Sequence, residues 1–179
     1  LENCAEEDRV LYESFKNDNS SWLDSYANFM SIKSFYDKKA QEEKLFGIET
    51  VWFNYWPKEL SKCDPLAVSK WNSEHTLEIE IIKVIQFFFF YQWSSLKKYA
   101  NDNGVSIIGD IPIFVAADSC DVWANQQLFQ LDENSIPKNV AGVPPDYFCA
   151  TGQLWGNPLY DWNQMKKTNY FWWINRIKH

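Results

Sequence analysis

The sequence contains little of what metal centres and disulfide-stapled folds require. Its 179 residues include four cysteines and two histidines, and no C-x-x-C pair occurs. These six residues are Cys4, Cys63, Cys120, Cys149, His75 and His179. Because they are far apart in the sequence, they suggest neither a zinc site nor a disulfide scaffold. Four reduced thiols fit a cytoplasmic protein.

Positive charge and long apolar runs are also scarce. The 17 Lys and Arg residues stand against 24 Asp and Glu residues, which gives a formal net charge of −7. This charge opposes binding to a phosphate backbone, so we expect no nucleic-acid partner. The longest apolar run, Val84 to Trp93, is interrupted by two glutamines and is shorter than the roughly 18 residues that cross a bilayer. Residues 1–11 are too acidic and too short for a secretory signal.

Apolar and aromatic side chains, in contrast, are plentiful. Hydrophobic residues make up 46% of the sequence and aromatic residues 18%, which is enough for the core of one domain of ordinary size. A β/α barrel, however, usually takes about 250 residues, and the first residue here is Leu rather than Met. We therefore interpret the chain as an internal piece of a longer protein.

Two long helices are predicted from apolar residues at helical spacing. The first begins at Ser21, with Asp24 completing a capping box, and runs to about Lys38. The second begins near Ser73 and ends at Asn103-Gly104, where the glycine supplies a left-handed stop. The predicted core stripe of the second helix is Leu77, Ile81, Val84, Ile85 and Phe88. Because its other side is apolar too, we expect at least its second half to be buried all round.

The remaining elements are shorter. The continuous apolar run Val105 to Gly109 predicts a parallel strand between two other layers. Residues 47–65 are predicted to form a structured loop, 118–125 a short helix, and 129–131 with 138–140 a small hairpin. A final helix is expected to begin at Asp161, with Gln164 three residues later, and to carry Trp162, Met165, Trp173 and Ile177.

Asp110 is the first candidate for a functional residue. A carboxylate at the C-terminal end of a parallel strand points into the mouth of a β/α barrel, where that fold has its active sites. An aspartate that caps a turn before Pro112 explains the same residue equally well. The residues alone leave both interpretations open.

The segment from Ala141 to Tyr160 is the second candidate. Its paired prolines and three glycines predict an irregular path, and its aromatic residues offer flat apolar faces on which sugar rings could lie. Asp146, Gln153 and Asn157 could form hydrogen bonds with the sugar hydroxyls. The alternative interpretation is that the aromatic residues simply pack this loop onto the rest of the protein. Cys149 is not a nucleophile candidate because no histidine is near it in sequence. His75 is interpreted as a surface or capping residue.

Several segments resemble, in the expected order, those of the amylomaltase family of 4-α-glucanotransferases, glycoside hydrolase family 77. The segments are SWLDSYANFMSIK, FFFFYQWSSLKKYANDNG, GDIPIFVAADSCDVW, GVPPDYF and TGQLWGNPLYDW. The resemblance extends from about residue 20 to residue 176 and is weakest over residues 37–72. It implies an α/β fold that forms part of a TIM (β/α)8 barrel with inserted helical elements. Residues 20–72 would be the helical insert, and residues 73–179 the barrel helix, strand and active-site loop.

The same resemblance implies which residues bind substrate. GDIPIFVAADSCDVW looks like the third barrel strand, whose aspartate, here Asp110, binds sugar. GVPPDYF looks like a flexible loop over the active-site cleft, and TGQLWGNPLYDW like a segment that lines it. The implied substrate-binding residues are Asp110, Asp146, Tyr147, Phe148, Trp155 and Asn157.

The implied activity is transfer of α-1,4-glucan segments between maltooligosaccharides, starch or glycogen, without metal or organic cofactor. Such a retaining reaction uses two carboxyl groups about 5–5.5 Å apart. In the family the nucleophile aspartate lies in a motif like R-I-D-H-F-R-G, and the acid/base glutamate and a stabilising aspartate follow it. This sequence matches none of the three, so we expect no catalytic residue here and an inactive fragment of a 4-α-glucanotransferase. The alternatives are an α-glucan hydrolase of the α-amylase superfamily and a noncatalytic glucan-binding or structural fragment.

Overall fold

A computed structural model describes residues 5–178, and the chain divides into two compact units. The first unit contains Leu1–Lys39 and Pro65–Asp110, and the second contains Ala40–Asp64 and Ile111–His179. The helices are α1 Glu6–Asp18, α2 Ser20–Glu43, α3 Trp52–Tyr55, α4 Lys58–Ser61, α5 Pro65–Glu74, α6 Thr76–Asp102, α7 Cys120–Ala124, α8 Trp162–Lys167 and α9 Phe171–Lys178. The strands are β1 Val140–Val143 and β2 Gln153–Pro158, and 3-10 turns lie at Gly47–Thr50 and Gln126–Leu128.

The two predicted long helices are present, with changes at their ends. Helix α2 starts one residue before the predicted Ser21 and continues past Lys38 to Glu43. The second helix is preceded by a separate helix, α5, so that α6 starts at Thr76 rather than near Ser73. Its end is as predicted, because Gly104 follows with φ of +75°, the left-handed conformation that glycine adopts without strain.

The core of the first unit forms where α1 and α2 pack against α6. Tyr12 is buried, and its hydroxyl donates a hydrogen bond of 2.8 Å to Oε2 of Glu80. Burial is also the main reason why the pKa of Tyr12 is raised. The ring of Phe87 meets that of Tyr12 edge-on at 5.5 Å, and Phe90 packs against Phe15 and Trp22. The face of α6 that contacts α1 and α2 therefore carries Phe87 and Phe90.

The predicted core stripe of α6 is wrong at four of its five positions, and the fifth, Val84, is half-buried. Leu77, Ile81, Ile85 and Phe88 are between 49% and 71% exposed. The expectation that the second half of α6 is buried all round is also wrong, since Phe89 and Trp93 are exposed as well. The physical reason is that α6 is apolar on two faces, and helical periodicity does not say which face meets a neighbour.

The predicted strand at Val105–Gly109 is not formed. Residues 105–110 are exposed and have no strand assignment. A strand requires hydrogen bonds to a neighbouring strand, and in the part of the chain that the structure describes, β1 and β2 pair with each other. The described chain is mostly helical with these two strands, and it does not display a barrel.

The second unit is built around two buried indoles. Trp52 donates from Nε1 to the carbonyl of Ala117 at 2.9 Å, and Trp123 donates to the carbonyl of Leu60 at 2.7 Å. These bonds connect the region of residues 47–61 to the segment just before α7 and to α7 itself. The predicted structured loop at 47–65 is therefore largely helical turns, whereas the predicted short helix at 118–125 is confirmed as α7, with Ser119 as its N-cap.

The C-terminal part of the second unit also differs in detail from the prediction. The pairing of residues 129–131 with 138–140 is reduced to a single bridge between Leu131 and Pro137. The predicted final helix begins as expected, with the Asp161 carboxylate accepting bonds from the backbone N–H groups of Asn163 and Gln164, but it is split into α8 and α9. Asn169 and Tyr170 separate the two helices with φ values of 51° and 56°.

Candidate functional site

The hairpin of β1 and β2 carries the most exposed aromatic pair of the second unit. Tyr147 and Phe148 lie in the connection between the two strands and are 97% and 90% exposed. Their ring centroids are 5.6 Å apart and their planes are perpendicular. Because adjacent exposed aromatic rings of this size mark interaction sites more often than scattered apolar residues do, the hairpin tip is the candidate binding element.

The strands of the hairpin approach each other closely at two glycines. A Cβ on Gly142 would lie 2.6 Å from the carbonyl oxygen of Gln153, and one on Gly152 would lie 2.6 Å from that of Val143. Gly152 also has φ of +72°. The segment that the sequence predicted as an irregular loop is thus a paired hairpin, and its glycines permit close strand contact.

The tip itself is closed by hydrogen bonds from Asp146. Its Oδ1 accepts from the backbone N–H groups of Phe148 at 2.9 Å and of Cys149 at 2.8 Å. The backbone N–H of Asp146 donates to the carbonyl of Cys149 at 3.0 Å. Asp146 therefore has a structural role in the turn, which sequence reasoning missed.

Trp155 on β2 adds a third aromatic face. It is 48% exposed, and its Nε1 donates to Oε1 of Gln153 at 2.9 Å. Its ring meets Phe114 edge-on at 6.1 Å, and Phe114 stacks on the buried Tyr160. One part of the indole is therefore fixed against the unit while another part faces solvent.

Asn157, also on β2, connects the hairpin to the segment that follows residue 110. Its Nδ2 donates to the carbonyl of Val115 at 2.9 Å. Nearby, the hydroxyl of Tyr160 donates to the carbonyl of Ile113 at 2.8 Å. These two bonds align residues 113–115 with β2 and support the position of Trp155.

Five of the six predicted substrate-binding residues lie on one hairpin. They are Asp146, Tyr147, Phe148, Trp155 and Asn157. Asp110 is exposed and is the last residue of the first unit, whereas the hairpin belongs to the second unit. A groove shared by Asp110 and Trp155 stays a prediction.

The thiol of Cys149 differs from the other described thiols. Its pKa is lowered, chiefly by a hydrogen bond with the hydroxyl of Thr151, whereas burial raises the pKa of Cys120 to about 12 and that of Cys63 as well. Because the thiolate is the reactive form, and its fraction changes about tenfold per pKa unit, we expect iodoacetamide at neutral pH to label Cys149 before Cys63 and Cys120. Peptide mass spectrometry over a time course would measure this, and equal labelling of Cys120 would contradict the described burial.

His75 is not near the hairpin in sequence and belongs to the first unit. Its ring stacks on that of Trp71 at 3.8 Å, with 13° between the planes. It occupies the N-cap position of α6 without a side-chain capping bond. Across residues 5–178 no group of three or more His, Cys, Asp or Glu side chains is arranged to bind a metal ion. In the same range, no helix is long and apolar enough to cross a membrane.

Comparison with known proteins identifies the family of this chain. The sequence profile of the family described as 4-alpha-glucanotransferase, glycoside hydrolase family 77, matches residues 2–179. The chain belongs to this family. Among its curated relatives, the 4-alpha-glucanotransferase of Streptococcus pneumoniae is 43% identical over 168 residues, which is 93% of this chain and 31% of the relative. That of Clostridium butyricum is 39% identical over 177 residues, or 98% of this chain and 34% of the relative.

A solved structure of the family has the same fold over this region. The amylomaltase from Streptococcus agalactiae, in complex with acarbose, superposes with a TM-score of 0.84 at 36% identity. The superposition covers 97% of this chain and 33% of the amylomaltase. The chain thus spans about a third of the length of the 4-alpha-glucanotransferases that it matches.

Proposed function

We propose that this chain is the substrate-binding part of a 4-alpha-glucanotransferase that transfers α-1,4-glucan segments between maltodextrins. The observation that carries the proposal is the exposed pair Tyr147 and Phe148 on a hairpin within a family-matching chain. The rings offer flat apolar faces, and the C–H faces of glucose units fit such surfaces. Trp155 extends the same hairpin with a half-exposed indole.

The proposed reaction is a retaining double displacement. A donor glucan is cleaved with formation of a covalent glucosyl-enzyme, and the 4-hydroxyl of a second glucan then attacks it in place of water. None of the residues of this chain is assigned as nucleophile or acid/base. Its contribution is binding: aromatic rings that position the acceptor and exclude water favour transfer over hydrolysis.

The proposal also gives a role to Asp110 and to residues 105–109, which precede it. In a complete enzyme, residues 105–109 would pair as a strand of a TIM (β/α)8 barrel, which would bury their apolar side chains. The carboxylate of Asp110 would then stand at the C-terminal end of that strand, where barrel active sites form. The setting proposed for the enzyme is carbohydrate metabolism in the cytoplasm, with starch, glycogen or maltooligosaccharides as partners.

The test uses an enzyme of complete length that carries this chain. Residues 5–178 would replace the aligned third of the Clostridium butyricum relative, and the hybrid would be incubated with maltotriose. A glucanotransferase produces glucose together with longer oligosaccharides, whereas a hydrolase of the α-amylase superfamily produces shorter sugars alone. If the hybrid folds and only hydrolyses, the proposal is wrong.

A binding measurement on the 179-residue chain distinguishes glucan binding from a purely structural role. We expect calorimetric titration of the 179-residue chain with maltoheptaose or acarbose to give saturable heat, because the hairpin aromatics are exposed without any other part of the enzyme. The absence of heat with a folded chain would favour the structural alternative.

The aromatic pair should control the balance between transfer and hydrolysis. We expect Tyr147→Ala or Phe148→Ala in the hybrid enzyme to raise the hydrolysis-to-transfer ratio about tenfold, the effect of losing roughly 1.4 kcal/mol of acceptor binding. The ratio is measured from free glucose and chain-length distribution after reaction with maltotriose. Phe46→Ala is the matched control, because Phe46 is an exposed aromatic of the same unit outside the hairpin. An unchanged ratio in both hairpin variants would refute this role.

A further inference from the structure

We infer that Asp146 is a positioning residue, whose carboxylate sets the direction in which Tyr147 and Phe148 are presented to the acceptor glucan. The nature of the ligand rests on the proposed function, whereas the geometry does not. The bonds of Asp146 to the backbone of Phe148 and Cys149 carry the inference. The residue would act through its neighbours and need not touch the sugar.

One carboxylate oxygen of Asp146 accepts two hydrogen bonds that close the turn, and a backbone hydrogen bond of the same residue closes it a third time. Oδ1 of Asp146 lies 2.9 Å from the N of Phe148 and 2.8 Å from the N of Cys149, and the N of Asp146 lies 3.0 Å from the O of Cys149. Hydrogen bonds to an ionised acceptor are stronger than those between neutral groups. The two residues at the apex of this turn are Tyr147 and Phe148, and their rings face outward.

A second turn connects the tip to the strands. The N–H of Gly152 donates to the carbonyl of Cys149 at 3.2 Å, and the thiol of Cys149 donates to the carbonyl of Gly152 at 3.1 Å. Gly152 is in turn placed directly against Val143 of β1. The C-terminal side of the tip is therefore tied to the β-ladder, and Asp146 fixes the side that carries the rings.

The consequence for binding is preorganisation. An exposed ring that is free to move must be immobilised when a sugar stacks on it, and this lowers affinity. Because the Asp146 bonds restrict the backbone of residues 146–149 in advance, the acceptor meets two rings already placed at right angles. Removing the carboxylate should therefore weaken acceptor binding and shift the balance of the reaction from transfer toward hydrolysis.

The chain offers a matched control for the test. Oδ1 of Asp132 accepts from the N of Asn134 at 2.9 Å and from the N of Ile136 at 2.9 Å. This turn in the same unit is likewise closed by one aspartate oxygen that accepts two backbone N–H bonds, and it is one residue longer than the turn at Asp146, but it presents no aromatic pair. Asp132→Ala therefore removes equivalent bonds elsewhere and is expected to leave acceptor binding unchanged.

Two measurements test the inference. In the 179-residue chain, we expect Asp146→Ala to abolish the hydrogen-exchange protection of the Phe148 and Cys149 amides, measured by NMR, and Asp146→Asn to retain it, because an amide oxygen can accept the same bonds. In the hybrid enzyme, Asp146→Ala should raise the KM for a maltose acceptor about tenfold, equivalent to roughly 1.4 kcal/mol. Asp146→Asn should stay within about twofold of the parent hybrid on the same scale. The hydrolysis-to-transfer ratio should rise in Asp146→Ala, as it is expected to do in Tyr147→Ala and Phe148→Ala, and should stay within about twofold of the parent hybrid in Asp146→Asn.

Each other outcome contradicts a definite statement. An acceptor KM unaffected by Asp146→Ala, with protection lost, would show that the turn does not position the rings. Asp146→Asn as harmful as Asp146→Ala, with protection retained, would mean that the carboxylate contacts the sugar and would overturn the positioning role. A parent hybrid that folds but performs no transfer would refute the proposed function, while the exchange measurement would still decide whether Asp146 orders the turn.

Discussion

Replacing Trp123 by alanine is expected to lower the free energy of unfolding by about 3–5 kcal/mol, the usual range for removing a buried tryptophan. Trp123 is 1% exposed, and its indole meets that of Trp56 edge-on at 6.1 Å. Its Nε1 is the donor to the buried carbonyl of Leu60. The substitution therefore creates a cavity and leaves a buried acceptor without its partner, and the two effects add. Urea denaturation followed by far-UV circular dichroism measures the change.

The controls divide that loss into its parts. Trp123→Phe keeps most of the volume but removes the donor, so we expect it to cost about 1–3 kcal/mol, the penalty of an unsatisfied buried group. Phe148→Ala removes an aromatic ring of similar area that is exposed, and it should change stability by no more than about 0.5 kcal/mol. If Trp123→Ala and Phe148→Ala gave the same unfolding midpoint, the described packing of α7 against α4 would not be the structure in solution.

Local signals in the sequence predicted two element ends correctly, the start of α8 and the end of α6. Asp161 begins α8 because its carboxylate accepts from the N of Asn163 at 3.0 Å and from the N of Gln164 at 3.1 Å. Gly104 ends the segment after α6 because a positive φ is easy for glycine alone. In both cases the physical cause lies within a few neighbouring residues, so the sequence contains all the information that is needed.

Predictions that depended on a distant partner failed. The apolar run at Val105–Gly109 has the composition of a buried parallel strand, but strand pairing is a property of two segments, and the described residues provide no second segment for it. The choice of buried face on α6 failed for the same reason. Phe87 and Phe90 are half-buried because α1 and α2 contact them, and nothing in the periodicity of α6 encodes that contact.

The substrate-binding role of the candidate site residues stays a prediction, and the sequence did not predict which bonds their polar side chains make within the fold. Five of the predicted residues lie on one hairpin. Two of them bond backbone groups with their side chains, since Asp146 accepts from the N–H of Phe148 and Asn157 donates to the carbonyl of Val115. A signal for Asp146 was present, because aspartate commonly bonds the backbone two and three residues later in a turn. For Asn157 no comparable signal exists, since its partner Val115 is 42 residues away.

Replacing Gly152 by alanine should open the tip of the hairpin. The new Cβ would meet the Val143 carbonyl at 2.6 Å, and φ of +72° is strained for any L-residue. The strain costs about 1–2 kcal/mol, and forcing a carbon into a filled space costs about 1–3 kcal/mol more. Because the hairpin can open locally, we expect the free energy of opening of the β1 and β2 amides to fall by more than the free energy of global unfolding. Hydrogen exchange measures the first and urea denaturation the second.

Alanine substitutions at two other glycines serve as controls that distinguish the backbone strain from the steric clash. Gly156 has φ of +79° but open space around its Cβ position, so Gly156→Ala should show the strain alone. Gly109 has neither a positive φ nor an atom within 4 Å, so Gly109→Ala should be nearly neutral. The expected order of hairpin opening is Gly152→Ala, then Gly156→Ala, then Gly109→Ala. Gly152 is bonded to Cys149 in the turn that adjoins Asp146. The first of these variants should therefore also disorder Tyr147 and Phe148, and thereby weaken the proposed acceptor binding without replacing any residue that we propose to contact the sugar.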